Sequence, residues 1–234
     1  RHSRPGSVTS MEREESEPMG ELSTGVQPQT ARGHRTREAL IAAARVVFER
    51  DGYVDARLVD IAQEAKCSIG SFYTWFEGKD EVFAAVMEQT KKDMLYPGTG
   101  RIDDDPVATI EAANRAYFEA YKRNGKLNLL MDQVVAVDPR FRRLRRQRSE
   151  AFVERNARAI RDLQARGLAD RQLDPDAASA ALSGMVSRLI HDQVRYELGG
   201  SMELLVQTAT RLWTNALGLT TPDLGGSGIE EAEG

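Results

Sequence analysis

The sequence predicts an all-α protein of roughly nine helices. Three observations carry that expectation. Apolar residues recur at helical spacing nearly everywhere from residue 34 to residue 220. No short alternating run bounded by hairpin turns interrupts them. Stop and start signals then divide the run at Asp51-Gly52, Lys66-Cys67-Ser68, Glu77-Gly78, Tyr96-Pro97-Gly98, Asn124-Gly125, Asp138-Pro139, Gly167, Asp174-Pro175 and Gly199-Gly200.

The gross numbers fit a water-soluble chain with one large domain or a small one fused to a bigger one. It has 234 residues, 41% hydrophobic and 29% charged, and no apolar run near the roughly 20 residues that cross a bilayer. A single cysteine, Cys67, cannot close an intrachain disulfide, so a reducing cytoplasm is the expected compartment. The formal charge of −4 argues against nonspecific coating of nucleic acid, although local clusters can outweigh a sum. His2, His34 and His191 lie far apart beside that one cysteine, so no metal site and no cofactor is expected. Ser-His-Asp constellations, a phosphate-cradling glycine loop and HExxH are all missing, which argues against an enzyme.

Residues 1–33 hold few large apolar side chains and too little to bury against the entropy of ordering, so they are expected to form a disordered tail. They also lack the apolar segment of a secretory signal. The polar, glycine-rich residues 221–234 are expected to be a flexible tail as well.

In the first helix, Leu40, Ile41, Ala44, Val47 and Phe48 make one stripe that ends where Gly52 can take a left-handed conformation. Leu58, Ile61, Ala62 and Ala65 repeat the pattern over barely two turns, too short to stand alone. Ser68 can cap a third helix through its hydroxyl. On that helix Ile69, Phe72 and Phe76 fall on one side with Tyr73 at the margin, while Gly70, Ser71, Thr74 and Trp75 point outward. Two helices joined by a tight turn, the second presenting small polar residues on an apolar base, make a helix-turn-helix suited to a major groove. Tyr73 can pack its ring while its hydroxyl reaches a phosphate, and Lys79 follows at the start of a fourth helix. The alternative is that these aromatics are simply core. Asp80 and Glu81 suit the positive end of that fourth helix, which Val82, Phe83, Val86 and Met87 continue.

At these residues the chain resembles the tetracycline-repressor (TetR) family of transcription regulators, over residues 35 to about 90. The likeness lies in the first helix ending in Phe48 and Gly52-Tyr53, the DIAQEA segment, Ser68, and FYTWFEGK, which matches a Tyr-x-x-Phe-x-x-Lys signature at Tyr73, Phe76 and Lys79. The resemblance implies that Ser68, Gly70, Ser71, Thr74 and Trp75 form the recognition face and that Tyr73 and Lys79 hold phosphates. It also implies that Arg35 and Arg37 touch backbone or an adjacent minor groove. Ala56-Arg57 replaces the family's threonine-rich start of helix two, leaving Arg57 either on a phosphate or in solvent. Lys66 replaces a frequent turn glycine and has to tolerate the turn geometry, at a cost if φ is positive. Cys67 is either a redox switch or, more simply, a small packing residue.

Residues 106–124, 126–137 and 139–166 read as three further helices, with Tyr117, Phe118, Tyr121, Leu129, Leu130, Met131 and Phe152 among their larger apolar groups. The resemblance implies a small-molecule pocket here, with Tyr117, Tyr121, Met131, Gln133, Phe152 and Met185 as its expected wall; plain core packing is the alternative. Few buried charges are in view, so a largely apolar effector is expected. In PRFRRLRRQRSE, residues 139–150, the arginines are expected on a wet face because Phe141, Leu144 and Phe152 keep an apolar side. Asp174-Pro175 starts the next helix, as cap and first residue. Its stripe is Ala178, Ala181, Leu182, Met185 and Leu189, and the last helix has a broader one in Leu204, Leu205, Thr208, Ala209, Leu212, Trp213, Ala216 and Leu217. One subunit would struggle to cover both, so these two helices are expected to pair with their copies in a homodimer, as in the family; burial within one subunit is the alternative.

The expected organisation is therefore a tail (1–33), a helix-turn-helix DNA-binding domain (34–83), a helical ligand-binding and dimerisation domain (84–220) and a second tail (221–234). The expected partners are double-stranded operator DNA, a small-molecule effector and a second copy, with no membrane. Repression is the expected sign; activation, or a ligand-binding helical protein without DNA activity, is the alternative.

Overall fold

The computed structural model describes residues 22–95, 105–198 and 200–219. Among these are nine α-helices and no strand: α1 (Ala31–Asp55), α2 (Leu58–Glu64), α3 (Ile69–Trp75), α4 (Lys79–Leu95), α5 (Pro106–Arg123), α6 (Gly125–Val137), α7 (Pro139–Ala165), α8 (Pro175–Arg195) and α9 (Met202–Leu217). The tail expected at 221–234 and the break at Tyr96-Pro97-Gly98 lie outside the described residues.

Local chemistry sets most helix ends. The Asp138 and Asp174 side chains accept from the amides of Arg140 (2.8 Å) and Ala177 (2.7 Å), each with proline as the first helical residue. Gly52 breaks α1 near its end, with φ at 79°. The turn after α2 closes as a Schellman motif, the Cys67 amide donating to Ala62 O and the Lys66 amide to Gln63 O, with Lys66 left-handed at φ 54°. The strained position anticipated for Lys66 is therefore occupied by a residue with a Cβ.

Two cores form, and they do not divide where the sequence suggested. The first gathers Leu40, Val47, Phe48, Ile61, Phe72, Phe76, Phe83 and Met87 from α1 to α4, but also Leu127, Met131 and Val134 of α6 and Phe141 of α7. Phe48, Tyr53, Phe83 and Phe141 stack edge to face or in parallel with centroids 5.0–6.0 Å apart. The N-terminal head built on α1 to α4 therefore continues, in its core, through α6 into the first turn of α7. The second core joins the end of α4 (Met94) to α5, α7, α8 and α9 through Phe118, Tyr121, Ile160, Val186, Ile190, Val206 and Trp213.

Composition placed residues 22–33 in a loose tail, but they lie on the head. Leu22 packs on the first core, the Val26 amide donates to Trp75 O (2.9 Å), and α1 begins at Ala31, capped by Thr30. Too few apolar residues hold this strap for their pattern to be visible; tertiary hydrogen bonds supply what composition lacks.

The arginine-rich stretch also departs from a uniformly wet face. Arg142, Arg145 and Arg146 are exposed, but Arg148 is buried. It falls at i+7 from Phe141 and i+4 from Leu144, on the apolar side of α7.

Candidate nucleic-acid interface and the cavity behind it

α3 is held from below and bare above. Phe72 and Phe76 are fully buried, and the Ser68 hydroxyl caps the helix by accepting from the Ser71 amide at 3.1 Å. Ser68, Gly70, Tyr73 and Thr74 are exposed, with Ser71 half-buried beside them. A Cβ added at Gly70 would meet only Ser68 Oγ, at 3.8 Å, so nothing in the protein itself requires glycine there. The Tyr73 ring packs edge-on to Phe72 at 5.6 Å while the residue stays 57% exposed, which frees its hydroxyl. Ile69, expected on the packed side, is instead 38% exposed.

Other expected contacts are turned elsewhere. Trp75 is half-buried against the head core, with its ring edge beside Gly33, so it braces the strap instead of joining the reading face. Arg37 donates to Thr24 O at 2.6 Å and lies 5.3 Å from the Phe76 ring centroid; burial pulls its pKa down. The Lys79 ammonium donates to Val54 O (2.8 Å) and Ala56 O (3.4 Å) over the Tyr53 ring, compensating the carbonyl end of α1. A cation already tied to two carbonyls orients the head before it reaches any phosphate. Arg57 makes two 2.8 Å bonds to Asp60 at the exposed start of α2, which has no side-chain cap. Arg35 is exposed. Cys67 is half-buried, and burial pushes its thiol pKa up, which favours the packing role over a reactive thiolate.

One polar junction ties α1, α4 and α7 together. Asp80, at the start of α4, receives the Tyr53 hydroxyl and Arg140 Nη2 (2.5 Å), and Arg140 also bonds Asp138 at 2.7 Å. Burial, then the carboxylate of Asp80, push the Tyr53 pKa up, while the Arg140 guanidinium holds Asp138 below the usual carboxylate range. The first turns of α4 and α7 are thereby linked.

Behind the head, α4, α5, α6, α7, α8 and α9 line a cavity of about 1530 Å³ that is open to solvent on one side. Tyr117, Tyr121, Met131 and Phe152 line it as expected; Gln133 is exposed and off its wall, and Met185 packs in the second core without reaching the lining. Gln133 fails because α6 turns it to solvent, a facing that an isolated glutamine cannot reveal. Tyr117 meets Phe152 edge-on at 5.5 Å, and the Tyr121 hydroxyl lies 3.0 Å from His191 Nδ1. Sequence reasoning missed the polar part of this wall, including Asn128, Asp132, Arg148 and His191. The place of Arg148 within an apolar stripe was the available signal. Among the described residues no group of three or more metal-binding side chains forms, and no helix is long and apolar enough to cross a membrane.

Residues 40–86 match the profile of the bacterial regulatory proteins of the tetR family. The chain is similar in structure to a Rhodococcus sp. protein assigned to the TetR-family transcriptional regulators, with a TM-score of 0.68 at 19% identity, covering 79% of this chain and 99% of that one. It is similar also to SmeT, the repressor of the Stenotrophomonas maltophilia multidrug efflux pump SmeDEF (TM-score 0.62, 23% identity, 78% and 91% covered). FadR, the fatty acid degradation regulator of Bacillus halodurans, aligns with a TM-score of 0.65 at 15% identity over 80% and 96% of the two chains. At such identities the likeness is one of fold. No curated protein matches the chain in sequence.

Proposed function

We propose, from the premise that this chain belongs to the tetR family of bacterial regulatory proteins, that it is a homodimeric, cytoplasmic repressor released from a near-palindromic operator by a small-molecule effector. The observation that carries this reading is α3 itself, a capped helix whose buried Phe72 and Phe76 hold Ser68, Gly70, Ser71, Tyr73 and Thr74 outward. Small polar side chains on a rigid base can reach base edges, and the exposed Tyr73 hydroxyl, Arg35 and Arg57 can reach flanking phosphates. Lys79 joins them by holding the end of α1 in register.

Two heads would engage half-sites about 34–36 Å apart or a multiple of that repeat. Support for a second copy comes from α9, where Leu204 (58% exposed), Thr208 and Leu212 (44% exposed) share one outward row. An effector in the cavity releases DNA by favouring a different spacing of the heads, because a ligand with equal affinity for both arrangements shifts nothing. The route runs through α4, whose last turn lines the cavity at Met94 and Leu95 and whose first turn is tied to α7 through Asp80 and Arg140. A gel-shift assay with the DNA upstream of the protein's own gene tests the head, and binding should be lost in Thr74→Ala combined with Gly70→Ala. Indifference to every duplex offered at low salt would end the reading.

A further inference from the structure

A charge sits where the apolar stripe of α7 should continue. Arg148 is 8% exposed, and among the described residues no carboxylate lies within ion-pair distance of it. Its Nε has no hydrogen-bond partner, and its Nη2 has only long contacts, to Met94 Sδ at 3.8 Å and Asn128 Oδ1 at 3.5 Å. Asn128 is buried too, and its Nδ2 is likewise without a partner. Two orphaned donors therefore stand side by side on the cavity wall, which native proteins rarely tolerate without a ligand, water or ion to satisfy them.

The neighbouring carboxylates have cationic neighbours of their own, although Asp132 Oδ2 accepts no hydrogen bond. Asp132 is shared among Arg145 (3.4 Å), His191 (3.6 Å) and Arg195 (4.0 Å), and Glu88 pairs with Lys91 at 2.8 Å. Arg155 donates to Leu95 O at 2.7 Å and to Asn156. From Arg148 the lining continues along α7 to Ile160 and Leu163, about 22 Å at the helical rise, with Trp213 and Leu217 contributing from α9.

We propose that Arg148, with Asn128 beside it, anchors the carboxylate of an elongated and otherwise apolar effector whose tail lies along α7. A planar guanidinium matches a carboxylate with two parallel bonds, and the Asn128 amide supplies a further donor. This adds one charged group to the largely apolar effector expected from the sequence, and it rests on the reading of the cavity as an effector site. It also places the charged group against Met94, in the last turn of α4, where contact is converted into movement of the head.

Isothermal titration of the full chain with decanoate and with 1-decanol, which share a carbon chain and differ in charge, tests the anchor. The wild type should prefer decanoate by roughly tenfold or more. Arg148→Met should abolish that preference while keeping decanol binding, Arg148→Lys should keep part of it, and Asn128→Ala should weaken decanoate alone. Equal affinity for both probes in the wild type, or a preference that survives in Arg148→Met, overturns the anchor and leaves the cavity reading standing. Binding of neither probe overturns both. Should Arg148→Met fold poorly, Asn128→Ala decides by the same comparison, and its failure to lower decanoate affinity counts against the proposal.

Discussion

Replacing Gly25 by alanine tests whether residues 22–30 belong to the head. Gly25 has φ at 83°, and an added Cβ would lie 2.3 Å from Trp75 O and 2.5 and 2.8 Å from the ring of Phe76. Neither a backbone carbonyl nor a fully buried ring can yield, so the strap has to leave. Its departure forfeits the Val26 amide bond to Trp75 O (2.9 Å), the Arg37 bond to Thr24 O (2.6 Å) and the packing of Leu22. Each hydrogen bond contributes about 1 kcal/mol. Part of that loss is offset by the backbone entropy that the released strap recovers. The head then loses no more than about 2 kcal/mol, a fall in Tm below about 8 °C. Trp75 is uncovered at the same time. In a Trp213→Phe background its emission should shift to the red in Gly25→Ala, and the Val26 amide should exchange rapidly. An unchanged emission with a protected amide would refute the close approach. A Tm loss far beyond that bound would instead make the strap part of the cooperative core.

Gly70→Ala should separate stability from binding: the site is open, so removing a helical glycine raises stability by about 0.5 kcal/mol while operator affinity falls, read by thermal melts beside gel shifts. Lys66→Gly relieves the positive φ of 54° and should raise Tm by a few degrees, roughly 1 kcal/mol; an unchanged or lower Tm would mean that the turn is not strained. Leu204→Glu with Leu212→Glu charges the outward row of α9 and should leave only monomer in analytical ultracentrifugation at unchanged helicity, whereas a persistent dimer would place the interface elsewhere. Burial raises the pKa of Tyr53, Tyr117 and Tyr121 above the ordinary value of 10.0. Their neutral forms therefore stabilise the fold fully below about pH 10, and that contribution is lost as pH climbs from there through the folded-state values. Absorbance at alkaline pH should show these three of the six tyrosines ionising only as the chain unfolds, and early ionisation of all six would contradict the burial.

Much of the fold was legible because helix ends are local. Ser68, Asp138-Pro139 and Asp174-Pro175 each carry their cap within three residues of the amide they satisfy, so spacing alone locates them. The exposed side of α3 was legible for Ser68, Gly70 and Thr74, whereas Trp75 is half-buried and Ile69 exposed, against the expectation for each. Seven residues make barely two turns, and which flank is covered depends on a strap that the helix cannot encode.

Sequence by itself determined the nine-helix order among the described residues, the capped turns and the polar face of α3, since hydrophobic period and capping act over a few residues. Only the tertiary structure decided that Lys79 braces α1, that α6 and the start of α7 complete the head's core, and that Arg148 faces a cavity with its Nε unpaired. Burial and pairing of a charge depend on groups distant in the chain, and no periodicity in one helix states what the opposite helix brings to meet it.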